Sequence, residues 1–293
     1  MQDKKRSAKA FAPAHITGFF CIHSNDDPRK KGSTGCGIVL EGGVATTVTY
    51  TEELEETWVL LNGKQVEGDT TRTVVNMLTN LPLLVESVTN IPIGCGFGAS
   101  GAGALSTAYA LNEALSLNLT SSKIIETSHV AEVVNRSGLG DVIAQSYGGV
   151  VIRTAPGAPP YGNVDWIPVA GKEILCLALG ELDTGSVLSD PDLAWRITSI
   201  GKGAMKRLMT SPTFETFMQC SQDFALGTGL ASNTVIDIIE AVGSAGGIAS
   251  QAMLGESVFA TADPERREAV IEALSEFGEP LAYYLNNCRA GLL

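Results

Sequence analysis

The sequence predicts an α+β protein built from two units, and three observations support this fold class. β-branched residues, which favour strands, are frequent in the first half of the 293-residue chain, together with glycines. A segment dense in proline and glycine, residues 155–162 (APGAPPYG), is typical of a linker. Beyond it, apolar residues recur mostly at helical spacing. We therefore expect one unit over residues 1–160 and a second over residues 161–293.

Two β-hairpins are expected in the first unit. The first covers residues 37–50, with a glycine-containing turn at 41–43. The second covers residues 58–66 and turns at Asn62-Gly63, the pair that a tight primed turn favours.

The other elements are predicted from periodicity and from residues that start helices. Asp69 is expected to cap the first helix, and Asp263-Pro264 is expected to start the last one. The predicted strands cover residues 87–93, 147–154, 164–169 and 173–179. The predicted helices cover residues 70–79, 100–117, 122–135, 141–146, 191–209, 213–226, 232–242 and 264–277.

The charge balance argues against two classes of partner. Twenty Lys and Arg residues against thirty-two Asp and Glu residues give a formal net charge of −12. Bulk charge of this sign repels phosphate backbones and anionic membrane surfaces, so we expect neither nucleic acid nor a membrane as a partner. An anionic small-molecule substrate would need a local cationic site.

The spacing of the cysteines and the length of the apolar runs indicate the cellular compartment. The six cysteines form no close pair, which predicts neither a zinc site nor a disulfide framework. Residues 10–22 resemble a leader peptide, but Pro13, His15 and Thr17 interrupt them. Glu113 interrupts the best candidate for a run of about eighteen apolar residues, the length that a membrane span needs. We expect a cytoplasmic protein.

Residues 92–103 (PIGCGFGASGAG) are the most informative segment of the chain. A predicted strand ends there, five glycines follow within ten residues, and a long helix begins. Glycines let the backbone approach a ligand closely. The unpaired N–H groups and the dipole of a helix N-terminus favour an anion. The segment therefore predicts a phosphate site, and tight helix packing is the simpler alternative.

Two common phosphate loops do not fit this segment. Residues 96–101 satisfy the GxGxxG pattern, but a dinucleotide site also needs a following strand that ends in an acidic residue. Here the region that follows is helical, and Glu113 and Glu126 both fall within helical patterns. A Walker loop is excluded because no Lys follows the glycines.

The longer string at residues 92–102 resembles the PxxxGLGSSA motif of the GHMP kinases, the superfamily of the galactose, homoserine, mevalonate and phosphomevalonate kinases. Residues 12–18 (APAHITG) look like the N-terminal motif of that superfamily, and residues 243–250 (GSAGGIAS) look like a variant of its C-terminal glycine loop. Phe97 and Ala99 depart from the Leu and the first Ser of the motif. These departures argue against mevalonate or galactose as the substrate.

Five segments are similar to those of one branch of the superfamily, the archaeal pantoate kinases: residues 12–20, 27–38, 138–145, 153–162 and 249–260. The resemblance implies ATP- and Mg²⁺-dependent phosphorylation of the primary hydroxyl of pantoate to 4-phosphopantoate, in coenzyme A biosynthesis. Another small-molecule kinase of the superfamily, for homoserine, shikimate or mevalonate, is the alternative. The sequence leaves open whether the protein is a homodimer.

The resemblance also implies a fold. The GHMP kinase fold has an N-terminal α+β domain with a core like ribosomal protein S5 domain 2, and a C-terminal ferredoxin-like α+β domain. ATP and the substrate bind in the cleft between the two domains.

The resemblance further implies the catalytic and nucleotide-binding residues. Ser100 and Glu132 match the hydroxyl and the carboxylate associated with Mg²⁺, and Asp141 matches the residue proposed as the base. These three are the predicted catalytic residues. Without the resemblance, Asp141 would be read as a helix cap and Glu132 as a solvated carboxylate. The expected ATP-binding residues are Pro92, Gly94, Cys95, Gly96, Phe97, Gly98, Ala99, Ser100 and Gly101.

Pantoate carries a carboxylate, which in an acidic protein requires a cationic side chain. Arg29 and Lys30 lie in a short basic cluster, and Arg153 ends a predicted strand. All three are candidates for this contact. By the resemblance, His15 and Thr17 in the N-terminal motif also face the substrate, together with Asp141.

Overall fold

The computed structural model describes residues 6–169, 171–180 and 191–293. The helices are α1 Asp69–Leu78, α2 Ala99–Ala114, α3 Ser121–Asn135, α4 Asp141–Gln145, α5 Pro191–Thr210, α6 Phe214–Thr228, α7 Asn233–Ser244 and α8 Arg267–Ser275, the last preceded by a 3₁₀ turn at Pro264–Arg266. The strands are β1 Arg6–His23, β2 Gly32–Tyr50, β3 Trp58–Leu61, β4 Lys64–Gln65, β5 Leu84–Thr89, β6 Val150–Ala155, β7 Asn163–Ile167, β8 Glu173–Gly180, β9 Ile248–Gln251, β10 Glu256–Thr261, β11 Leu281–Tyr284 and β12 Gly291–Leu292.

The strands form two sheets, which confirms the α+β class. The larger sheet has the order β12-β1-β2-β5-β3-β4, with β6 paired to β2 and β7 paired to β6. The smaller sheet has the order β11-β8-β10-β9, and its pairs are antiparallel. With helices α5 to α7 after β8 and α8 after β10, the second half has the βαββαβ connectivity of a ferredoxin-like domain.

The hairpin predicted over residues 37–50 is wrong, because β2 runs through this region as one strand. β1 pairs with it along its whole length, and the register shifts where Pro13 faces Gly43 and Ala14 faces Leu40. The shift is a bulge that bends the strand. A Cβ on Gly43 would lie 2.3 Å from the carbonyl oxygen of Ala12, so this glycine allows close packing of the two strands instead of a turn.

The second predicted hairpin is confirmed. β3 and β4 pair across Asn62 and Gly63, whose φ angles are 49° and 76°. Both residues lie in the left-handed region, as a primed two-residue turn requires.

Helix α2 packs on the larger sheet through a face of small residues. Ala104, Leu105 and Ala108 are fully buried, and the small side chains bring the helix close to β1 and β2. Each fully buried leucine contributes about 1.5–3 kcal/mol through the apolar surface that it removes from water. This packing holds the N-terminus of α2, and the glycine segment before it, in a fixed position on the sheet.

The two halves share one hydrophobic core. Phe19 of β1 contacts Phe217 and Phe224 of α6, with ring centroids 6.3 and 6.4 Å apart. The C-terminal β12 also returns to pair with β1, and β7 still belongs to the larger sheet. Segments from both sides of residue 160 therefore build the larger sheet, and the domain boundary at that residue stays a prediction. Within the described ranges, every helix is too short or too polar to cross a bilayer.

Candidate active site

A cavity of about 640 Å³ lies where the two halves meet. Its wall contains residues of β1, of the start of α1, of the glycine segment 92–103 and of the connection between α3 and α4, together with residues 253–254. The buried charged side chains of Glu132 and Arg153 lie at this wall, and they make the cavity a candidate active site.

The glycine segment forms one wall and ends at the N-terminus of α2. Gly94, Gly96 and Gly98 have φ angles of 74°, 81° and 65°, a region that glycine enters without steric cost. Gly98 is the N-cap residue of α2, and no side chain caps the helix there. The first-turn residues Ala99, Ser100 and Gly101 line the cavity, and within the described ranges their N–H groups have no side-chain acceptor, as a phosphate-binding helix N-terminus requires.

Residues of the second half support the glycine segment from behind. The hydroxyl of Ser257 donates a hydrogen bond of 2.5 Å to the carbonyl of Cys95. A Cβ on Gly255 would lie 2.2 Å from that carbonyl oxygen, so only glycine permits this contact. The segment with this role is residues 252–257. The predicted C-terminal glycine loop, residues 243–250, does not line the cavity.

Asp141 and His15 form a hydrogen-bonded pair at the cavity wall. The distance between His15 Nδ1 and Asp141 Oδ1 is 2.6 Å. The imidazole of His15 is fully buried, and burial lowers its pKa despite the nearby carboxylate. We infer a neutral ring that donates its Nδ1–H to the aspartate.

The pKa of the Asp141 carboxyl reflects opposing effects. Burial raises it, but the hydrogen bond from His15, together with the charge of Arg153, outweighs burial and leaves the pKa of Asp141 below its ordinary value. Asp141 is therefore an ionised carboxylate at neutral pH, held by one oxygen.

Glu132 is a second carboxylate at the same wall and is only 2% exposed. Burial and the neighbouring charge of Asp141 raise the pKa of Glu132 to about 7. Hydroxyl groups surround it. Ser137 donates to Glu132 Oε1 at 2.9 Å, and Thr70 Oγ1 lies 3.1 Å from Ser137 Oγ and 3.2 Å from Ser100 Oγ. This cluster offers oxygen atoms and one ionisable acid to a hard cation.

Arg153 supplies a buried positive charge near Asp141. The residue is 1% exposed, and its Nε and Nη1 atoms have no hydrogen-bond partner within the described part of the chain. Burial lowers the pKa of the guanidinium, while the charge of Asp141 acts in the opposite direction. A buried cation with unused donors is costly unless an anion pairs with it, so it predicts an anionic ligand here.

Comparison with known proteins identifies the family. Residues 50–149 match the model of the GHMP kinases N-terminal domain. The pantoate kinase of Methanocaldococcus jannaschii is 34% identical over 92% of this chain and 97% of its own length. The pantoate kinase of Thermococcus kodakarensis is 35% identical over 93% of each protein. The chain belongs to the pantoate kinase family of the GHMP kinases.

A solved structure supports this placement in the pantoate kinase family. A phosphotransferase related to the CoA biosynthesis pathway superimposes with a TM-score of 0.89, at 31% identity and with 98% coverage of both chains. The predicted two-domain GHMP kinase fold is thereby confirmed.

Most of the site residues predicted for this pantoate kinase family member line the cavity. They are Thr17, Gly94, Gly96, Phe97, Gly98, Ala99, Ser100, Gly101, Glu132, Asp141 and Arg153. His15 lies directly behind Asp141. Pro92 and Cys95 are part of the glycine segment but do not line the cavity.

The basic cluster of Arg29 and Lys30 does not line the cavity. Arg29 lies in an exposed loop, where its Nη2 donates to Asp27 at 2.7 Å. The ammonium group of Lys30 lies 5.0 Å from the centre of the Tyr161 ring. Among the three predicted cationic residues, Arg153 is the one with its charge at the cavity.

Several residues at the site were not predicted. Thr70 and Ser137 join the hydroxyl cluster around Glu132, and Ser33 lies beside Arg153 at the wall. Met253 reaches the cavity from the second half, where its backbone N–H donates to the carbonyl of Thr17. Ser33 and Ser137 each stand next to a motif glycine, which is the one signal in the sequence that pointed to them.

Proposed function

We propose that this protein transfers the γ-phosphate of ATP to the primary hydroxyl of pantoate and so forms 4-phosphopantoate. The observation that carries the proposal is that one cavity holds three groups that such a reaction needs. These are a helix N-terminus with a glycine-rich approach, an ionised aspartate and a buried arginine with two donors that have no partner among the described residues. Identity of 34–35% to two pantoate kinases over nine-tenths of the chain selects pantoate as the acceptor.

The glycine segment is the proposed binding site for the triphosphate. The first-turn N–H groups of α2, at Ala99, Ser100 and Gly101, provide donors and a positive dipole end. The positive φ angles of Gly96 and Gly98 allow the backbone to lie against phosphate oxygens without a side chain between them. The overall charge of −12 makes such a local site necessary for an anionic nucleotide.

Ser100 and Glu132 are the proposed holders of Mg²⁺. A buried carboxylate whose pKa is about 7, with hydroxyl groups beside it, gains a counter-charge when a cation binds. Mg²⁺ prefers oxygen atoms and needs few of them from the protein, so this donor set fits. When bound, Mg²⁺ neutralises negative charge on the phosphates.

Asp141 is the proposed acceptor of the substrate proton. His15 engages Oδ1, so we assign the proton transfer to Oδ2. The pantoate hydroxyl loses its proton to Oδ2, and its oxygen forms a bond to the γ-phosphorus. The bond from that phosphorus to the oxygen bridging the β- and γ-phosphates breaks, and ADP leaves with the bond pair.

Arg153 is the proposed partner of the pantoate carboxylate. A guanidinium donates charge-assisted hydrogen bonds to a carboxylate, and its Nε and Nη1 atoms, which lie on different edges of the group, each have no partner in the described structure. Ser33 Oγ and Arg153 Nε both lie within 2.7 Å of the position that a Cβ on Gly140 would occupy, so a hydroxyl is beside the guanidinium.

A panel of acceptor alcohols tests the proposal. ADP formation is measured with ATP, Mg²⁺ and, in separate reactions, pantoate, homoserine, shikimate or mevalonate. We expect turnover with pantoate to exceed turnover with each of the other alcohols. Preferred turnover of one of the others, with pantoate inactive, would replace the proposed acceptor.

A further inference from the structure

Gln145 is a fully buried polar residue that has no role in the reaction described above. It is the last residue of α4, the five-residue helix that begins with Asp141. At about 1.5 Å per residue, α4 places the backbones of these two residues only about 6 Å apart along the helix axis. A group that is hydrogen-bonded to Gln145 is therefore held close to the proposed base, Asp141.

The side chain of Gln145 holds the glycine segment. Its Nε2 donates a 2.8 Å hydrogen bond to the carbonyl of Gly98, the N-cap residue of α2. The contact is tight, because a Cβ on Gly98 would lie 2.9 Å from Gln145 Nε2 and 3.4 Å from Asp141 Cβ. Helix α4 thus rests directly on the residue from which the phosphate-facing amides begin.

The other end of the residue is also fixed. The backbone carbonyl of Gln145 accepts a 3.0 Å hydrogen bond from the N–H of Ala290. Ala290 directly precedes β12, which pairs with β1. The backbone position of Gln145 is therefore set independently of its side-chain contact with the loop.

The remaining side-chain atom of Gln145 points to a specific role for the amide. Oε1 is buried without a hydrogen-bond partner in the part of the chain that the structure describes, and it lies 3.0 Å from the position that a Cβ on Gly101 would occupy. A buried, half-satisfied amide is less favourable than an apolar side chain of the same length. General packing therefore does not explain why an amide occupies this position, whereas the bond to Gly98 does.

We propose that Gln145 is a positioning residue that fixes the glycine segment relative to Asp141. Its bond sets the separation between the γ-phosphate, held by the start of α2, and the hydroxyl from which Asp141 takes the proton. The inference rests on the proposed function. A phosphoryl transfer has little covalent assistance from the protein and depends on such positioning, so the bond should affect kcat more than the binding of either substrate.

Two variants test the bond itself. Gln145→Met keeps the length of the side chain and removes the donor. Gln145→Glu keeps the shape, but as a carboxylate it cannot donate to the Gly98 carbonyl, whereas as a neutral acid it can. Burial raises the pKa of this new carboxyl. Its donor therefore returns as the pH is lowered.

We expect kcat of Gln145→Met to fall by about 10- to 100-fold, the order that a misplacement of about 1 Å costs, with a smaller change in the KM for pantoate and for ATP. The activity of Gln145→Glu relative to the wild type at the same pH should increase as the pH falls, and that of Gln145→Met should not. A loss that came only from a poorly folded protein would not recover at low pH in one variant alone.

Gln222→Met is the matched control. Gln222 is a partly buried glutamine whose Nε2 donates a 3.1 Å hydrogen bond to the carbonyl of Ala249, away from the cavity. Gln222→Met should therefore keep the wild-type kcat. Wild-type kcat in Gln145→Met, or a relative activity of Gln145→Glu that is reduced and does not change with pH, would overturn the inference. Wild-type protein that does not phosphorylate pantoate would instead overturn the proposed function, so the two failures are distinguishable.

Discussion

Nδ1 of His15 lies 2.6 Å from Oδ1 of Asp141, although 126 residues separate them in the sequence. The backbone N–H of His15 also donates to the carbonyl of Phe97, within the glycine segment. One strand residue therefore contacts both the proposed phosphate site and the proposed base. This explains how a short helix such as α4 presents Asp141 in a fixed orientation.

Removal of the imidazole should change the pH dependence of the reaction. The hydrogen bond from His15 lowers the pKa of Asp141, so in His15→Leu burial is less opposed and that pKa rises. Because Asp141 acts as the ionised form, the acid limb of the pH profile of kcat should move to higher pH. His15→Asn, whose amide can donate from a position close to Nδ1, should move it less.

His23→Leu is the control for this experiment. The imidazole of His23 forms a hydrogen bond with Thr34 and does not contact Asp141. The acid limb of the pH profile of kcat in His23→Leu should therefore match that of the wild type. An unchanged acid limb in His15→Leu would show that the pair does not set the ionisation of Asp141.

Substitution of Asp141 should separate chemistry from nucleotide binding. Asp141→Asn removes the proton acceptor but keeps the shape of the residue. General-base catalysis contributes about 10²- to 10⁴-fold, so kcat should fall by that order while the Kd for an ATP analogue stays close to the wild-type value. Single-turnover rates and a binding titration measure the two quantities. Wild-type turnover in this variant would remove the assigned role.

Arg153 should control the affinity for the acidic acceptor. Hydrogen bonds to charged groups contribute about 1.5–3 kcal/mol, so Arg153→Ala should raise the KM for pantoate by about 10- to 100-fold. Lys at this position keeps the charge but not the planar set of donors, so it should restore little. Arg29→Ala, in the exposed loop, should leave this KM unchanged. A change confined to the KM for ATP would show that Arg153 acts on the nucleotide and not on pantoate.

Glu132 should make the stability of the metal-free protein depend on pH. Its pKa is raised from 4.5 to about 7, so between these values the folded state binds more protons than the unfolded state. The free energy of unfolding should therefore fall as the pH rises from about 4.5 to about 7, by up to about 3 kcal/mol from this group. Below that window the contribution is fully present, and above it the contribution is lost.

This effect is measured by urea unfolding of the wild type and of Glu132→Gln, each at about pH 5 and about pH 8. The difference in stability between the two pH values should be smaller in Glu132→Gln. Mg²⁺ added at the higher pH should stabilise the wild type more than the variant. Equal pH dependence in both proteins would contradict the raised pKa.

Local features of the fold could be predicted from the sequence where the backbone conformation at a position requires a particular residue type. Asn62-Gly63 predicted a primed turn because both positions need a positive φ, and the glycines at 94, 96 and 98 predicted a close backbone approach for the same reason. Gly43 misled the prediction of the first hairpin. Its small size serves contact with Ala12 across a bulge, which a local pattern does not distinguish from a turn.

Long-range contacts in the candidate site were less accessible from the sequence. The resemblance to the GHMP kinases placed Ser100, Glu132, Asp141 and His15 in one site, but neither the bond between His15 and Asp141 nor the link from Gln145 to Gly98 follows from any spacing. Both depend on how β1, α2 and α4 pack in three dimensions. Strands β9 to β11 were also missed, because strands of four to six residues carry little periodicity.

The most direct test of the account is the identity of the phosphorylated product. The purified protein is incubated with ATP, Mg²⁺ and pantoate, and the product is examined by ³¹P NMR without proton decoupling. We predict a phosphate monoester resonance split into a triplet by the two protons on C4 of pantoate. A doublet, from a phosphate on the C2 hydroxyl, or release of inorganic phosphate with no ester would contradict the proposed transfer.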